Sequence, residues 1–357
     1  MNLVFEAGRI TGNLVVLPET EQRFEDDMVN FDFPRERSLK LKEVMGYDRH
    51  RIAGERTCVS DLAGFGLRTL AERGLLDVAS LDALIVVTQT PDYWIPPTSC
   101  VLHGALGLRE DALCLDITQG CAGFIVGLME ALQWLRQPHI RKVALVTADV
   151  LSRRISPKDR NSYPLTGDAA AITLVERAEP GVQVHGCLKF DGKRSAALQI
   201  PAGGCRLPSS PETALLQDCG DHNLRALDHL RMDGTAVFNF VMNDVPPMIE
   251  ALLAAAGRTR DDIDYFLFHQ PNRFMLRKLA ERLQVPYERV PDWVTGTWGN
   301  SNSVTIPAAL AGTLGAGAQT NRYTVCFAGF GVGLTWGGLV MPLERLAFND
   351  VVDYREP

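Results

Sequence analysis

The chain lacks several features, and each absence removes a class of protein. Its 357 residues carry no excess of basic side chains: 36 Lys and Arg stand against 43 Asp and Glu, a balance of −7. Nothing general pulls such a chain toward nucleic acid or an anionic membrane, so an acidic partner has to be met by a local basic patch. No run of about 18 uncharged apolar residues reads as a membrane span. The opening residues, Met1 to Glu6, have no basic segment followed by an apolar stretch, so no secretory signal is expected. Eight cysteines occur, none in CxxC spacing and none near a His at zinc-site spacing. A metal centre is therefore not indicated, and a chain of this length needs no disulfide scaffold. The GxxxxGK[ST] phosphate loop is also missing. The expectation is a soluble protein of a reducing compartment, cytoplasmic, with no nucleic-acid partner and no membrane insertion.

What is present is an alternation of buried strands and helices. Leu84 to Thr88, Val143 to Thr147, Ala171 to Val175, Tyr265 to Phe268 and Tyr323 to Phe327 are short apolar runs rich in β-branched and aromatic residues. Runs of this kind suit a sheet covered on both faces. Cys121 to Leu135 reads as a helix, apolar nearly all round in its first half, as a buried helix must be. The same order of elements occurs twice: a strand into a polar loop, a glycine-flanked turn into a small-residue helix, another strand, then a glycine turn into a last strand. This predicts a duplicated α/β fold with an N-terminal half over 1–178 and a C-terminal half over 179–357. A segment rich in Gly, Pro and Ser, 191–223, breaks the pattern and is expected to be a surface excursion.

Four features could carry chemistry. Cys121 follows a strand-like run and opens the buried helix, where the positive end of the helix dipole would favour its thiolate. A buried structural thiol is the equal alternative. His269 stands at the exit of the strand Tyr265 to Phe268, where catalytic groups of α/β folds often sit, although a core histidine is the blander reading. Asn300, in Gly299-Asn300-Ser301-Asn302, is either a helix cap or a reacting carboxamide. The turn Gly329-Phe330-Gly331-Val332-Gly333 bares backbone N–H groups, which suits an oxyanion as well as a tight connection.

Taken in order, Asp116-Ile117-Thr118-Gln119-Gly120-Cys121-Ala122-Gly123-Phe124, His269-Gln270-Pro271-Asn272, Gly299-Asn300-Ser301-Asn302-Ser303-Val304-Thr305-Ile306-Pro307 and Gly331-Val332-Gly333-Leu334-Thr335-Trp336-Gly337 resemble the β-ketoacyl-acyl carrier protein synthase III family of thiolase-fold condensing enzymes. The likeness covers nearly the whole chain. It implies a thiolase-like α/β fold, two βαβαβαββ halves forming a five-layer αβαβα sandwich. It further implies that Cys121 accepts the acyl group, with His269 and Asn300 completing a triad and the backbone N–H groups of Cys121 and Gly333 forming an oxyanion hole. Asn272 would belong to the pantetheine-side wall and Arg160 would lie near a coenzyme A nucleotide. The loop Tyr93-Trp94-Ile95-Pro96 would bring Ile95 to a partner's acyl pocket in a homodimer.

The implied reaction is decarboxylative condensation of an acyl primer with a malonyl thioester on acyl carrier protein, the primer arriving as acyl-CoA or on a carrier. Loss of CO₂ supplies the carbanion, so no cofactor or metal is expected. Arg273, Arg277 and Lys278, on the helix after His269, are the candidates for docking the acidic carrier. The sequence departs from the family pattern at Lys40 and Val44, where an adenine-sandwiching Trp and Arg are usual, and at Asn302, where a smaller residue is usual. Three other readings remain: a degradative thiolase using Cys326 as a second thiol, an acyltransferase that skips condensation, and a non-catalytic subunit of a heterodimer.

Overall fold

The apolar runs become the strands of two sheets in a computed structural model that describes residues 2–356 except 7, 180 and 221. One sheet has six strands, in the order Phe348–Tyr354, Gly8–Pro18, Ala169–Arg177, Lys142–Asp149, Ala83–Val87 and Leu113–Ile117. The other has five: Asn2–Phe5, Val184–Phe190, Thr335–Glu344, Arg322–Gly331 and Tyr265–Phe268. Ala83–Val87 runs parallel to both of its neighbours and is buried along its whole length. This is why it reads as an unbroken apolar run rather than an alternation.

Two helices lie between the sheets, and their sequences say why. Gly123–Trp134 and Thr305–Leu314 carry small and apolar residues on almost every side, so both can be covered on both faces. Phe124 and Ile306 join one continuous core with Ile85 and Val87 of the six-stranded sheet and Leu267 and Phe327 of the five-stranded one. The rings of Phe124 and Phe327 meet edge to face, their centroids 5.5 Å apart. Val59–Glu72 and Thr98–Leu106 cover the outer face of the first sheet, and Gly234–Ala255 and Arg273–Leu283 that of the second. The result is the five-layer αβαβα arrangement.

The connection between the strands Ala169–Arg177 and Val184–Phe190 carries the chain from the first sheet to the second. Each end of the chain nevertheless crosses over: Asn2–Phe5 pairs with Val184–Phe190 in the second sheet, and Phe348–Tyr354 pairs with Gly8–Pro18 in the first. The halves are laced into one body. The segment 191–223 is also more than a surface excursion. Leu198–Gln199 pairs with Arg231–Met232 and Gln217–Asp218 with Leu224–Arg225, making two small ribbons. Next to the second ribbon, the buried Arg225 guanidinium forks onto Asp159 at 2.5 and 2.8 Å, tying this region to the loop that follows the strand Lys142–Asp149.

Candidate active site

Cys121 precedes the central helix Gly123–Trp134 at the C-terminal end of the parallel strands, and it is 7% exposed. Two cavities meet at it. One, of about 620 Å³, is walled by His269, Asn300, Asn272, Phe330, Gly331 and Met232 among others. The other, of about 830 Å³, is lined by Gln89, Thr118, Ile95, Leu198, Asn302 and Val332 among others. Leu198 also lines the first, so the segment 191–223 helps to wall both.

The glycine turn presses directly on the thiol. A Cβ added to Gly331 would lie 2.6 Å from both Cβ and Sγ of Cys121, closer than any real contact, so only glycine fits there. Burial pushes the Cys121 thiol up to about 11, while the backbone N–H groups of Val332 and of Cys121 itself pull the other way. Desolvation outweighs both amides and the helix end, so the lowered thiol pKa expected from the dipole is not found. The turn amide that reaches the sulfur is Val332's, one residue before the expected Gly333.

His269 follows the strand Tyr265–Phe268, its own N–H bonded to the carbonyl of Ala328. Burial of the ring pushes its pKa down to about 3, so it is neutral at physiological pH. Its Nδ1 meets Thr305 Oγ1 at 2.8 Å, and the Thr305 hydroxyl donates to the carbonyl of Asn302 at 2.7 Å. Asn300 is held from behind: its N–H donates to the Leu165 carbonyl at 2.7 Å and its carbonyl accepts from Gly167 N–H at 3.1 Å. Its Oδ1 accepts from the N–H of Asn302 at 2.9 Å, which turns the amide Nδ2 away and leaves its hydrogens for a ligand.

Asn302, noted in the sequence only as an unusually large residue, connects all of these. Its backbone is left-handed, φ 53°, a conformation asparagine tolerates better than most residues. Its N–H holds Asn300, its carbonyl holds Thr305, and its Oδ1 accepts a long contact of 3.9 Å from Cys121 Sγ. Its Nδ2 donates to the buried Asp149 carboxylate at 2.9 Å. Asp149 also accepts from Thr88 Oγ1, Gln89 N–H and Thr90 Oγ1, and desolvation still pushes its pKa up to about 7. Asn302 and Asp149 are 153 positions apart in the chain, so no local motif could have linked them.

The remaining candidates stand as follows. Asn272 is the N-cap of Arg273–Leu283, its Oδ1 accepting from Met275 N–H at 2.8 Å. The Arg160 guanidinium lies over the ring of Phe33, its Cζ 4.2 Å from the centroid. Ile95 is 85% exposed, beside the equally prominent Trp94. Arg277 is paired with Asp292 and Lys278 with Glu281, each at 2.8 Å, and Arg273 is tucked beneath Gly46. Cys326 lies in the outer core with Phe266 and Ala328, away from both cavities, and burial pushes its thiol far up. Among the described residues, no helix is long and apolar enough to cross a membrane.

A buried thiol at a helix start, between two cavities and inside a doubled five-layer α/β body, marks an acyl-transferring enzyme of the thiolase-like class. Known proteins carry this further. Models of 3-oxoacyl-[acyl-carrier-protein] synthase III match residues 115–191, and those of its C-terminal part match 253–343. The chain is 32% identical over 99% of both chains to a putative 3-oxoacyl-[acyl-carrier-protein] synthase 3 from Campylobacter jejuni. It is 33% identical to a beta-ketoacyl-[acyl-carrier-protein] synthase III from Syntrophomonas wolfei, over 85% of this chain and 89% of that one. A crystal structure of a 3-oxoacyl-(acyl-carrier protein) synthase from Burkholderia xenovorans superposes with a TM-score of 0.91, at 32% identity over 99% of both chains. The chain belongs to the β-ketoacyl-acyl carrier protein synthase III family.

Proposed function

We propose that this enzyme transfers an acyl primer to Cys121 from the tunnel side, holds it in the 830 Å³ cavity, and condenses it with a malonyl thioester that enters the 620 Å³ tunnel. The observation that carries this is the placement of Cys121 in the walls of both cavities, while His269 and Asn300 line only the tunnel. In the first step the sulfur attacks the thioester carbonyl. The proton of the thiol passes to the neutral imidazole of His269, and the amides of Cys121 and Val332 take the oxyanion. One such donor contributes about 3 kcal/mol to lowering a barrier. The leaving thiolate recovers the proton. In the second step His269 and Asn300 Nδ2 donate to the malonyl thioester oxygen, CO₂ departs, and the enolate carbon attacks the acyl–Cys121 carbonyl. Sulfur leaves as the thiolate and takes up a proton from solvent, and the β-ketoacyl product stays on its carrier. With its one proton given to the Asn302 carbonyl, the Thr305 hydroxyl accepts from Nδ1–H and leaves the other ring nitrogen free to take the thiol proton; in the second step the hydroxyl turns from that carbonyl to give its proton to Nδ1, and the other nitrogen becomes the donor.

A donor arriving as acyl-CoA would bring its nucleotide near Arg160, whose guanidinium lies over the Phe33 ring. The enzyme works as a homodimer, a reading supported by Tyr93, Trp94 and Ile95 standing out at the rim of the primer cavity and by the outer edge of Leu113–Ile117, unpaired among the described residues. Such an enzyme works on soluble carrier thioesters in the cytoplasm. Intact mass spectrometry after mixing with acyl-CoA should show one added acyl group, absent in Cys121→Ala. Adding malonyl carrier protein should then discharge the adduct with release of CO₂. An adduct that persists on Cys121→Ala would reject the nucleophile, and discharge without CO₂ would convert the reading to simple acyl transfer.

A further inference from the structure

The Asn302 side chain is locked in one orientation. Nδ2 is held by the Asp149 carboxylate, and turning the amide over would set its oxygen against that carboxylate. Oδ1 must therefore face Cys121. Among the described residues, the only donor that reaches Oδ1 is the Cys121 thiol, at 3.9 Å. Acylation replaces that S–H hydrogen with a carbonyl carbon. At that moment a buried acceptor, in a residue 6% exposed, loses its donor while facing the root of the cavity that receives the primer. A plain alkyl chain would fill the space and exclude water without offering a hydrogen bond, and an unmet buried acceptor is unfavourable. A primer with an O–H or N–H on the second or third acyl carbon would replace the lost donor. The wall of the cavity is mainly apolar, with Gln89, Thr90, Thr118 and Gln199 set among Leu198, Ile200 and Val332.

We propose that Asn302 is a specificity-determining residue, and that the natural primer is a short acyl group bearing a hydroxyl or amino substituent at its second or third carbon. This rests on the acyl-enzyme reading above.

The test uses pantetheine thioesters, which need no nucleotide contact, and follows Cys121 acylation by intact mass at pH 8, where Asp149 is a carboxylate. Butyryl, 2-hydroxybutyryl, 3-hydroxybutyryl and 3-methoxybutyryl groups are compared, both enantiomers of each substituted group being included. One hydroxylated primer should acylate Cys121 about tenfold or more faster than butyryl, and its methoxy or unsubstituted counterpart should lose the advantage. In Asn302→Val the ratio should fall to about one. Equal rates for hydroxylated and plain primers in the native enzyme, or an advantage that survives Asn302→Val, overturns the inference while leaving acylation itself intact. Should that variant not fold, the hydroxy-against-methoxy comparison in the native enzyme decides alone. Absence of any adduct, with Cys121 still open to iodoacetamide, overturns the acyl-enzyme reading and this inference with it.

Discussion

The two cavities that meet at Cys121 are built on different plans. The tunnel is walled mainly by the second half of the chain, with an uncharged imidazole and a carboxamide aimed into it and a helix N-cap, Asn272, in its side. The primer cavity is walled mainly by the first half and by the ribbons of 191–233, and its innermost polar group is an asparagine anchored to a buried carboxylate. One side presents an uncharged imidazole and the carboxamide of Asn300; the other presents a carboxamide oxygen fixed by its own anchor. A duplicated fold can divide its labour in this way because each half contributes a glycine-flanked turn at the same level, and only the side chains placed there differ.

That comparison can be broken at its junction first. Cys121→Ala should abolish acyl adducts and lower condensation by about a thousandfold or more, yet leave slow CO₂ release from malonyl carrier protein, because the tunnel keeps its donors. Loss of decarboxylation together with acylation would mean that the two sides do not act separately. On the tunnel side, Asn300→Ala should reduce CO₂ release by about a hundredfold, the usual effect of deleting one oxyanion donor, while single-turnover acylation of Cys121 stays measurable. Equal losses in both half-reactions would place Asn300 on both sides.

The electrostatics of the junction give a smaller, pH-dependent effect. Since burial holds the Cys121 thiol near 11 and the imidazole of His269 near 3, the resting pair is neutral. Below its pKa the thiolate fraction grows about tenfold per pH unit. Alkylation of the resting enzyme by iodoacetamide should therefore keep climbing through pH 9, and a plateau below pH 8 would reveal a thiolate–imidazolium pair instead. The smallest effect belongs to the tunnel's outer rim. Arg277 and Lys278 already hold Asp292 and Glu281, but exposed pairs are worth only about 0–1 kcal/mol and exchange readily with a partner's carboxylates. Reversing both charges should raise KM for the carrier substrate a few-fold with kcat unchanged. Unchanged KM would move the docking surface elsewhere.

Much of this was legible in the chain. The buried strands announced themselves as β-branched runs, and the structure extends them by a few residues. Lys142–Asp149, for example, was visible as Val143 to Thr147. Cys121, His269 and Asn300 stood out because each closes a motif local to one turn. What was missed depends on distance or on backbone direction. The amide of Val332 reaches the Cys121 sulfur because of how the turn runs between Arg322–Gly331 and Thr335–Glu344. The ion pairs of Arg277 and Lys278 were hidden in part because Asp292 lies on a separate loop 15 residues away.

The sequence by itself determined the layers and singled out the candidate reacting groups, since burial pattern and turn chemistry are local properties of the chain. The tertiary structure alone decided the condition of those groups. Cys121 sits at a helix start, and a local reading makes it acidic; in the folded protein it is buried, and desolvation prevails. The contacts of Asn302 were decided in the same way. Its neighbours in the chain say nothing of Asp149, and only the folded core brings the carboxylate, the carboxamide and the thiol into one line.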